Sequence, residues 1–206
     1  MCLAIYKKQA AVLPVEHLKT AFSNNPDGAG FAAATGKKIE IRKGFFTFEH
    51  FLDEYQKFNF FPMLIHFRVA THGKIGKENC HPFALAEGKY ALIHNGCLPI
   101  ESDKETSDTS NFAKFVMSPI LNHVQPAEPG LKYLIEQTIG RGNKICVMDK
   151  AGKAVIYNEL AGHWAECNRV WYSNDSYKAS AWNWPEDPEW NMAEGWNGRK
   201  SRHAAW

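Results

Sequence analysis

Apolar and polar positions fall in short runs along most of the chain, and their period changes from two to about 3.6 and back again. Met1 to Tyr6 is a short apolar strand beginning at the terminus itself, where a chain frays unless something ties it down. Pro14 precedes Val15, Leu18 and Phe22 at helical spacing, and this helix runs into Asn24-Asn25-Pro26-Asp27-Gly28, a cluster of turn formers. Gly30 to Ala34 and Lys38 to Lys43 read as two strands of a meander. Thr47 is placed to cap a helix with Phe48, Phe51, Leu52, Tyr55 and Phe58 on one stripe, expected to be core, and Glu49, Asp53, Glu54 and Lys57 on the other side. Met63 to Val69 and Tyr90 to His94 look like buried strands, separated by a polar loop from Gly73 to His81. Phe112, Phe115 and Val116 mark a further helix; Leu131, Leu134, Ile135 and Ile139 mark the next, which Gly140 ends. Lys144 to Met148, the turn Asp149-Lys150-Ala151-Gly152 and Ala154 to Tyr157 form a hairpin. This order predicts an α+β domain in which helices cover stacked sheets.

The last stretch has no sustained period. From Ala181 to Trp206 it carries Trp182, Trp184, Trp190, Trp196 and Trp206 among Pro, Glu, Asn and Gly. We expect one domain over residues 1–178 and a tryptophan-rich tail over 179–206 that packs on the domain or docks to a partner, because so much indole surface is costly to leave in water.

Composition narrows the partners. With 206 residues and 45% hydrophobic content the chain can bury one substantial core. Its 24 basic and 22 acidic side chains nearly cancel, which argues against nucleic acid and anionic membranes as partners. Residues 1–22 contain neither a signal-peptide apolar centre nor a membrane-spanning run, so a cytoplasmic location is expected. Five cysteines (Cys2, Cys80, Cys97, Cys146 and Cys167) form no C-x-x-C pair, which favours free thiols. Cys80, His81, His94 and Cys97 match no familiar zinc spacing, and no metal or other cofactor is expected.

The chemistry centres on Cys2. Aminopeptidases generally remove an initiator methionine that precedes a small residue, leaving a thiol and a free amine on one amino acid. An α-amino group has an ordinary pKa of about 7.7–8.0, so near neutrality it can take the thiol proton directly or through water. Alone, Met-Cys more often marks only the start of a buried strand. Arg68 closes a buried strand, where its planar guanidinium suits a carboxylate or a structural salt bridge. His94-Asn95-Gly96 offers a side-chain amide and an unhindered backbone N–H, two donors for an oxyanion, although Asn-Gly is also a favoured turn. Ser107-Asp108-Thr109 is a helix-cap signature in which Asp108 is also an anion available to a substrate ammonium.

Taken together, these blocks resemble the class II glutamine amidotransferases of the N-terminal nucleophile hydrolase fold. The matching blocks are Cys2, Asn25 to Phe31, Arg68 to Gly73, Asn79 to Phe83, His94 to Gly96 and Ser107 to Thr109, in the family's order and covering roughly residues 2–175. The resemblance implies a four-layer αββα sandwich in which Cys2 attacks the glutamine side-chain amide through a glutamyl thioester. It further implies that Asn95 and the Gly96 N–H stabilise the oxyanion, that Arg68 and Asp108 hold the α-carboxylate and α-amino groups, and that Thr71 and His72 line the pocket. Asp27, Gly28, His81 and His94 take supporting places by the same comparison, the two histidines through packing and hydrogen bonding. The chain departs from the family at Asn24 and Asn25, where an arginine is common, and at Cys97, which we expect to be a small core thiol.

Such domains commonly feed ammonia to a synthase. The resemblance therefore implies an ammonia-donating subunit for a separate synthetase or amide ligase. Two other readings remain: hydrolysis of another amide, such as a γ-glutamyl compound or an acylated amine, and a catalytically silent interaction module.

Overall fold

A computed structural model describes residues 2–71 and 73–178. The tryptophan-rich tail and His72 lie outside the described residues. The strands are β1 (Leu3–Lys7), β2 (Ala29–Ala34), β3 (Ile39–Phe45), β4 (Met63–Phe67), β5 (Phe83–Leu85), β6 (Tyr90–Asn95), β7 (Lys144–Asp149), β8 (Ala154–Tyr157), β9 (His163–Ala165) and β10 (Val170–Tyr172). The helices are α1 (Val15–Asn24), α2 (Phe48–Gln56), α3 (Asp108–Phe112), α4 (Ser118–Leu121) and α5 (Pro129–Ile139). One antiparallel sheet has the order β3-β2-β4-β1-β10-β9, the other β5-β6-β7-β8.

Alternation within single strands makes the layers. In β1, Leu3 and Ile5 pack with Leu18, Phe22 and Phe51 of α1 and α2, whereas Ala4 and Tyr6 pack with Ala91, Ile93, Cys146 and Met148 of the other sheet. In β6 and β7, Leu92, Ile145 and Val147 turn the opposite way, toward Phe112, Met117, Ile135 and Ile139. Both faces of each sheet are therefore covered, which is why these strands read as continuous apolar runs. The result is a helix, sheet, sheet, helix sandwich, the expected αββα arrangement. Alanines 4, 32, 34 and 91 keep the side chains between the sheets short.

Local chemistry sets the ends. Ser107 caps α3, its Oγ accepting the Ser110 N–H at 3.2 Å, and Gly140 stops α5 with a φ of +72°. Thr47 stands at the N-cap position of α2 without a capping bond from its hydroxyl. Asp149 Oδ1 accepts the N–H groups of Ala151 and Lys153 at 2.9 and 3.0 Å and closes the β7–β8 turn.

Two helix-marking residues prove exposed, and one expectation is corrected. Phe115 is 64% exposed, because a π-helical turn over Ala113–Met117 rotates it off the apolar stripe. Leu134 is 58% exposed, since the buried positions of α5 are Leu131, Ile135 and Ile139, a narrower seam than the sequence pattern implies. Cys97 is exposed rather than core, sitting beyond the end of β6 with Sγ 3.9 Å from Thr71 Oγ1.

The loop that carries the Cys80-His81-Pro82 segment lies directly on β2. A Cβ at Gly30 would stand 2.2 Å from the His81 carbonyl oxygen and 2.7 Å from Lys43 Cβ. Gly30→Ala should therefore cost about 1–3 kcal/mol or more by overpacking. Thermal melting of the variant checks this, and an unchanged midpoint would show that the backbone approach is not a constraint.

Candidate active site

The β1 to β4 register, Leu3 opposite Phe67, places Cys2 beside the residues that follow β4. The Cys2 thiol donates to the Val69 carbonyl at 3.3 Å, and the Val69 N–H points at Sγ from 3.2 Å. Asp27 and Gly28 brace the same segment. The Asp27 N–H donates to Arg68 O at 3.0 Å, the Arg68 N–H to Gly28 O at 2.8 Å, and Asp27 Oδ2 accepts the Ala70 N–H at 2.8 Å. Gly28 has φ +126°, and a Cβ there would meet Cys80 Sγ at 2.5 Å.

Burial pushes the Cys2 thiol above its ordinary pKa, with the Val69 N–H and the Arg68 charge acting in the opposite sense. A thiol held as S–H needs a base before it can attack.

Asn95 ends β6 and donates its Nδ2 to the Cys2 carbonyl at 2.6 Å. The next residue, Gly96, has φ +137°, and a Cβ there would stand 2.2 Å from Asn143 Oδ1. Asn143 thus demands glycine at this position. The same Oδ1 accepts from His94 Nε2 at 2.8 Å, which puts the His94 proton on Nε2 and leaves Nδ1 to accept from the Thr109 hydroxyl at 2.7 Å.

Asp108 opens α3, its Oδ2 accepting the Leu98 N–H and its Oδ1 the Thr109 N–H, each at 2.7 Å. Arg68, nearly fully buried, donates to the Lys74 and Gly73 carbonyls at 3.2 and 3.4 Å. Asn79 stitches the covering loops together, reaching Lys74 O at 3.2 Å and Glu105 O at 2.7 Å while accepting the Ser107 N–H at 2.9 Å. One small cavity is lined by Cys2, Arg68, Thr71, His81, Gly96 and Asp108, with a free volume of about 20 Å³. That is room for roughly one water, so a larger substrate must part the loops. Thr71 also borders an outward-facing cleft of about 510 Å³ with Gly73, Lys74 and Asp103.

Beneath the cavity a buried histidine pair joins the sheets. The His94 carbonyl can only accept, so His66 carries its proton on Nε2 and donates at 2.9 Å; His81 Nδ1, 2.8 Å from the same nitrogen, is then the bare acceptor. Burial holds His66 down to about 3 and His81 well below the ordinary histidine range; it lowers His94 as well.

Of the residues singled out in the sequence, Cys2, Arg68, Thr71, Asp108, Gly96, His81 and His94 line the cavity. Asn95 stands behind it on the Cys2 carbonyl, and Asp27 and Gly28 brace its floor. His66, Asn143 and Asn174 were not anticipated, and Asn79, which opens a matching block, was given no role. Asn174 shares the Cys2 carbonyl, donating at 2.7 Å across a sequence separation of 172. Only the polar Ser173-Asn174-Asp175-Ser176 run hints at a turn there. Among the described residues, no group of three or more His, Cys, Asp or Glu side chains is arranged to hold a metal ion.

Two stacked antiparallel sheets with Cys2 at the head of a central strand agree with the αββα fold that the sequence resemblance implies. No family model matches the chain. Over 93 residues, 44% of this chain, it is 32% identical to a glutamine–fructose-6-phosphate aminotransferase (isomerizing) of Sulfolobus acidocaldarius; a protein of the same name from Pyrococcus horikoshii is 32% identical over 96 residues. The chain spans a small part of these relatives, the match covering 16% of the length of each. Two solved structures are similar in fold: a glutamine phosphoribosylpyrophosphate amidotransferase from B. subtilis (TM-score 0.48, 18% identity, 83% of this chain and 40% of that one) and a class-II glutamine aminotransferase domain protein from Silicibacter pomeroyi (TM-score 0.41, 13% identity, 84% and 87%). The aminotransferase matches support the resemblance of this chain to a class II glutamine amidotransferase domain.

The histidines have a measurable consequence. Their folded pKa values lie below the unfolded value of about 6.5, so as pH falls the unfolded chain takes up protons that the folded chain refuses. Each such histidine should remove about 1.4 kcal/mol of stability per pH unit between roughly pH 6.5 and its folded value. Denaturant unfolding at stepped pH tests this; stability that stays level from pH 6.5 to 4 would contradict the buried neutral assignment.

Proposed function

We propose that this domain hydrolyses the side-chain amide of glutamine with Cys2 as nucleophile, yielding glutamate and ammonia. The observation that carries this reading is the cavity itself, which gathers Cys2, Arg68, Gly96 and Asp108 from four separate segments of the chain.

Removal of Met1 frees the Cys2 amine, which takes the Sγ proton as the thiol attacks the amide carbon. The tetrahedral oxyanion lies against Asn95 Nδ2 and the Gly96 N–H; of the two Asn95 amide protons, one is committed to the Cys2 carbonyl and one remains for this task. The Cys2 ammonium then returns the proton to the departing nitrogen, leaving ammonia and a glutamyl thioester. Water attacks the thioester with the amine again as base, and collapse releases glutamate and restores the thiol. The raised thiol pKa supports this account, because little thiolate exists without a neighbouring base.

Arg68 is suited to the α-carboxylate and Asp108 to the α-ammonium, each buried and already oriented by backbone partners. Thr71 completes the pocket in this reading. The ammonia passes to an acceptor on a separate synthetase or ligase, and the tryptophan-rich tail over 179–206 is the docking element we propose for it. No helix among the described residues is long and apolar enough to cross a membrane; a cytoplasmic setting is part of this proposal.

Glutamate release from glutamine tests the reading. Cys2→Ala should abolish turnover at an unchanged melting temperature, and full activity in that variant would end the nucleophile assignment. Asp108→Asn keeps an acceptor for the Leu98 N–H but loses the charge. It should raise KM for glutamine about 10-fold to 100-fold while leaving Cys2 alkylation near the parental rate. An equal loss of alkylation would remove Asp108 from the substrate.

A further inference from the structure

The Cys2 carbonyl receives two side-chain amides, Asn95 Nδ2 at 2.6 Å and Asn174 Nδ2 at 2.7 Å, which occupy both of its lone pairs. The Asn174 amide is oriented unambiguously. Its Oδ1 accepts the Ser176 N–H at 3.0 Å, and a backbone N–H can face only an oxygen, so the nitrogen must point at Cys2. That nitrogen also lies 3.5 Å from Asn95 Oδ1, which turns the Asn95 amide so that its own nitrogen faces the site.

The turn holding Asn174 is itself anchored. Ser173 exchanges two bonds with Ala4 of β1, its N–H to Ala4 O and the Ala4 N–H to its Oγ, both 2.9 Å. Asn24 donates to Ser176 O at 2.9 Å, and Asn25, itself bonded to Ala21 O at 2.8 Å, reaches Ser176 Oγ at 3.3 Å. The end of α1, the Asp27-Gly28 loop that follows it, the turn after β10 and the head of β1 are thus one hydrogen-bonded unit. Asn24 and Asn25 stand where the family commonly has an arginine, and here they hold this turn.

We propose that Asn174 is a positioning residue for the nucleophile, which sets the direction of the Cys2 amine and the aim of the Asn95 amide. The inference rests on the glutaminase reading for the identity of the reaction. Two anchors define the geometry. The peptide plane between Cys2 and Leu3 is fixed by the two amides on its carbonyl, and Sγ is fixed by Val69. With both ends of the residue held, rotation about the bond from Cα to the carbonyl carbon is blocked, and the amine on Cα has one place to be. Removing the Asn174 donor frees the plane and releases Asn95 together with it.

The test compares Asn174→Ala with Asn174→Asp in the full chain with Met1 removed. The aspartate keeps an oxygen for the Ser176 N–H, so it preserves any purely structural duty, but it cannot donate to Cys2. Both variants should lose about 10-fold to 100-fold in kcat for glutamate release with KM within about twofold of the parent, the signature of a misaimed reacting group. In both, the pH midpoint for alkylation of Cys2 by iodoacetamide should move upward, because an amine turned away no longer assists the thiol, while Asn174→Asp melts near the parental temperature. Parental kcat in a folded Asn174→Asp protein would overturn the proposal. So would a loss expressed only in KM or an unmoved alkylation profile. Should the parent itself release no glutamate, the glutaminase reading fails, and the alkylation profile still decides the role of Asn174.

Discussion

The structure depends on holding one residue rigid at the very head of a strand. Chain ends fray because they lack partners on both sides. Here β1 is instead the fourth strand of a six-stranded sheet, between β4 and β10, with both faces buried. Cys2, immediately before it, is held at the thiol by Val69 and at the carbonyl by Asn95 and Asn174. The segments beside it come from β4, β6 and β10, which end on the same side of the sandwich. In the proposed reading, a fully buried strand holds the nucleophile in place.

Burial at this position works against reactivity until a base is supplied. The thiol is pushed up by desolvation, and the nearby histidines are held neutral by burial, with His66 and His81 bonded to each other and His94 bonded to Thr109 and Asn143. His66 Nδ1 and His81 Nε2 have no hydrogen-bond partner among the described residues, but burial keeps both rings neutral, so in our account proton transfer falls to the amine of Cys2 and the histidines act as a buried joint between the two sheets. Asp108 and Arg68 are tethered to backbone groups before any ligand arrives, so their orientation is settled by the fold.

Much of this was legible in the chain, for identifiable reasons. Strands with both faces covered read as unbroken apolar runs, and α1, α2 and α5 have clear periods and stops, so the layers could be anticipated. Cys2, Arg68, Asn95 and Asp108 stand out because each sits at a strand end or helix start with a distinctive local motif. Short β5, β9 and β10 escaped, since three residues carry too little pattern. Phe115 marks its helix but points outward, because a π-helical turn shifts the register that helical spacing assumes. The bracing residues were the least visible. Asn143, Asn174 and His66 act across long sequence separations through ordinary polar contacts, and local patterning does not encode such partners.

The central claim is that the thiol and the amine of one terminal residue work as a pair. The most direct measurement is intact and peptide mass analysis after reaction with a glutamine-analogue electrophile, comparing chains that have lost Met1 with chains that retain it. The account predicts a single adduct on Cys2, formed rapidly in the processed chain and suppressed by glutamine. Equally fast labelling of Cys2 in chains that keep Met1, or a glutamine-protected adduct on another residue, would contradict it.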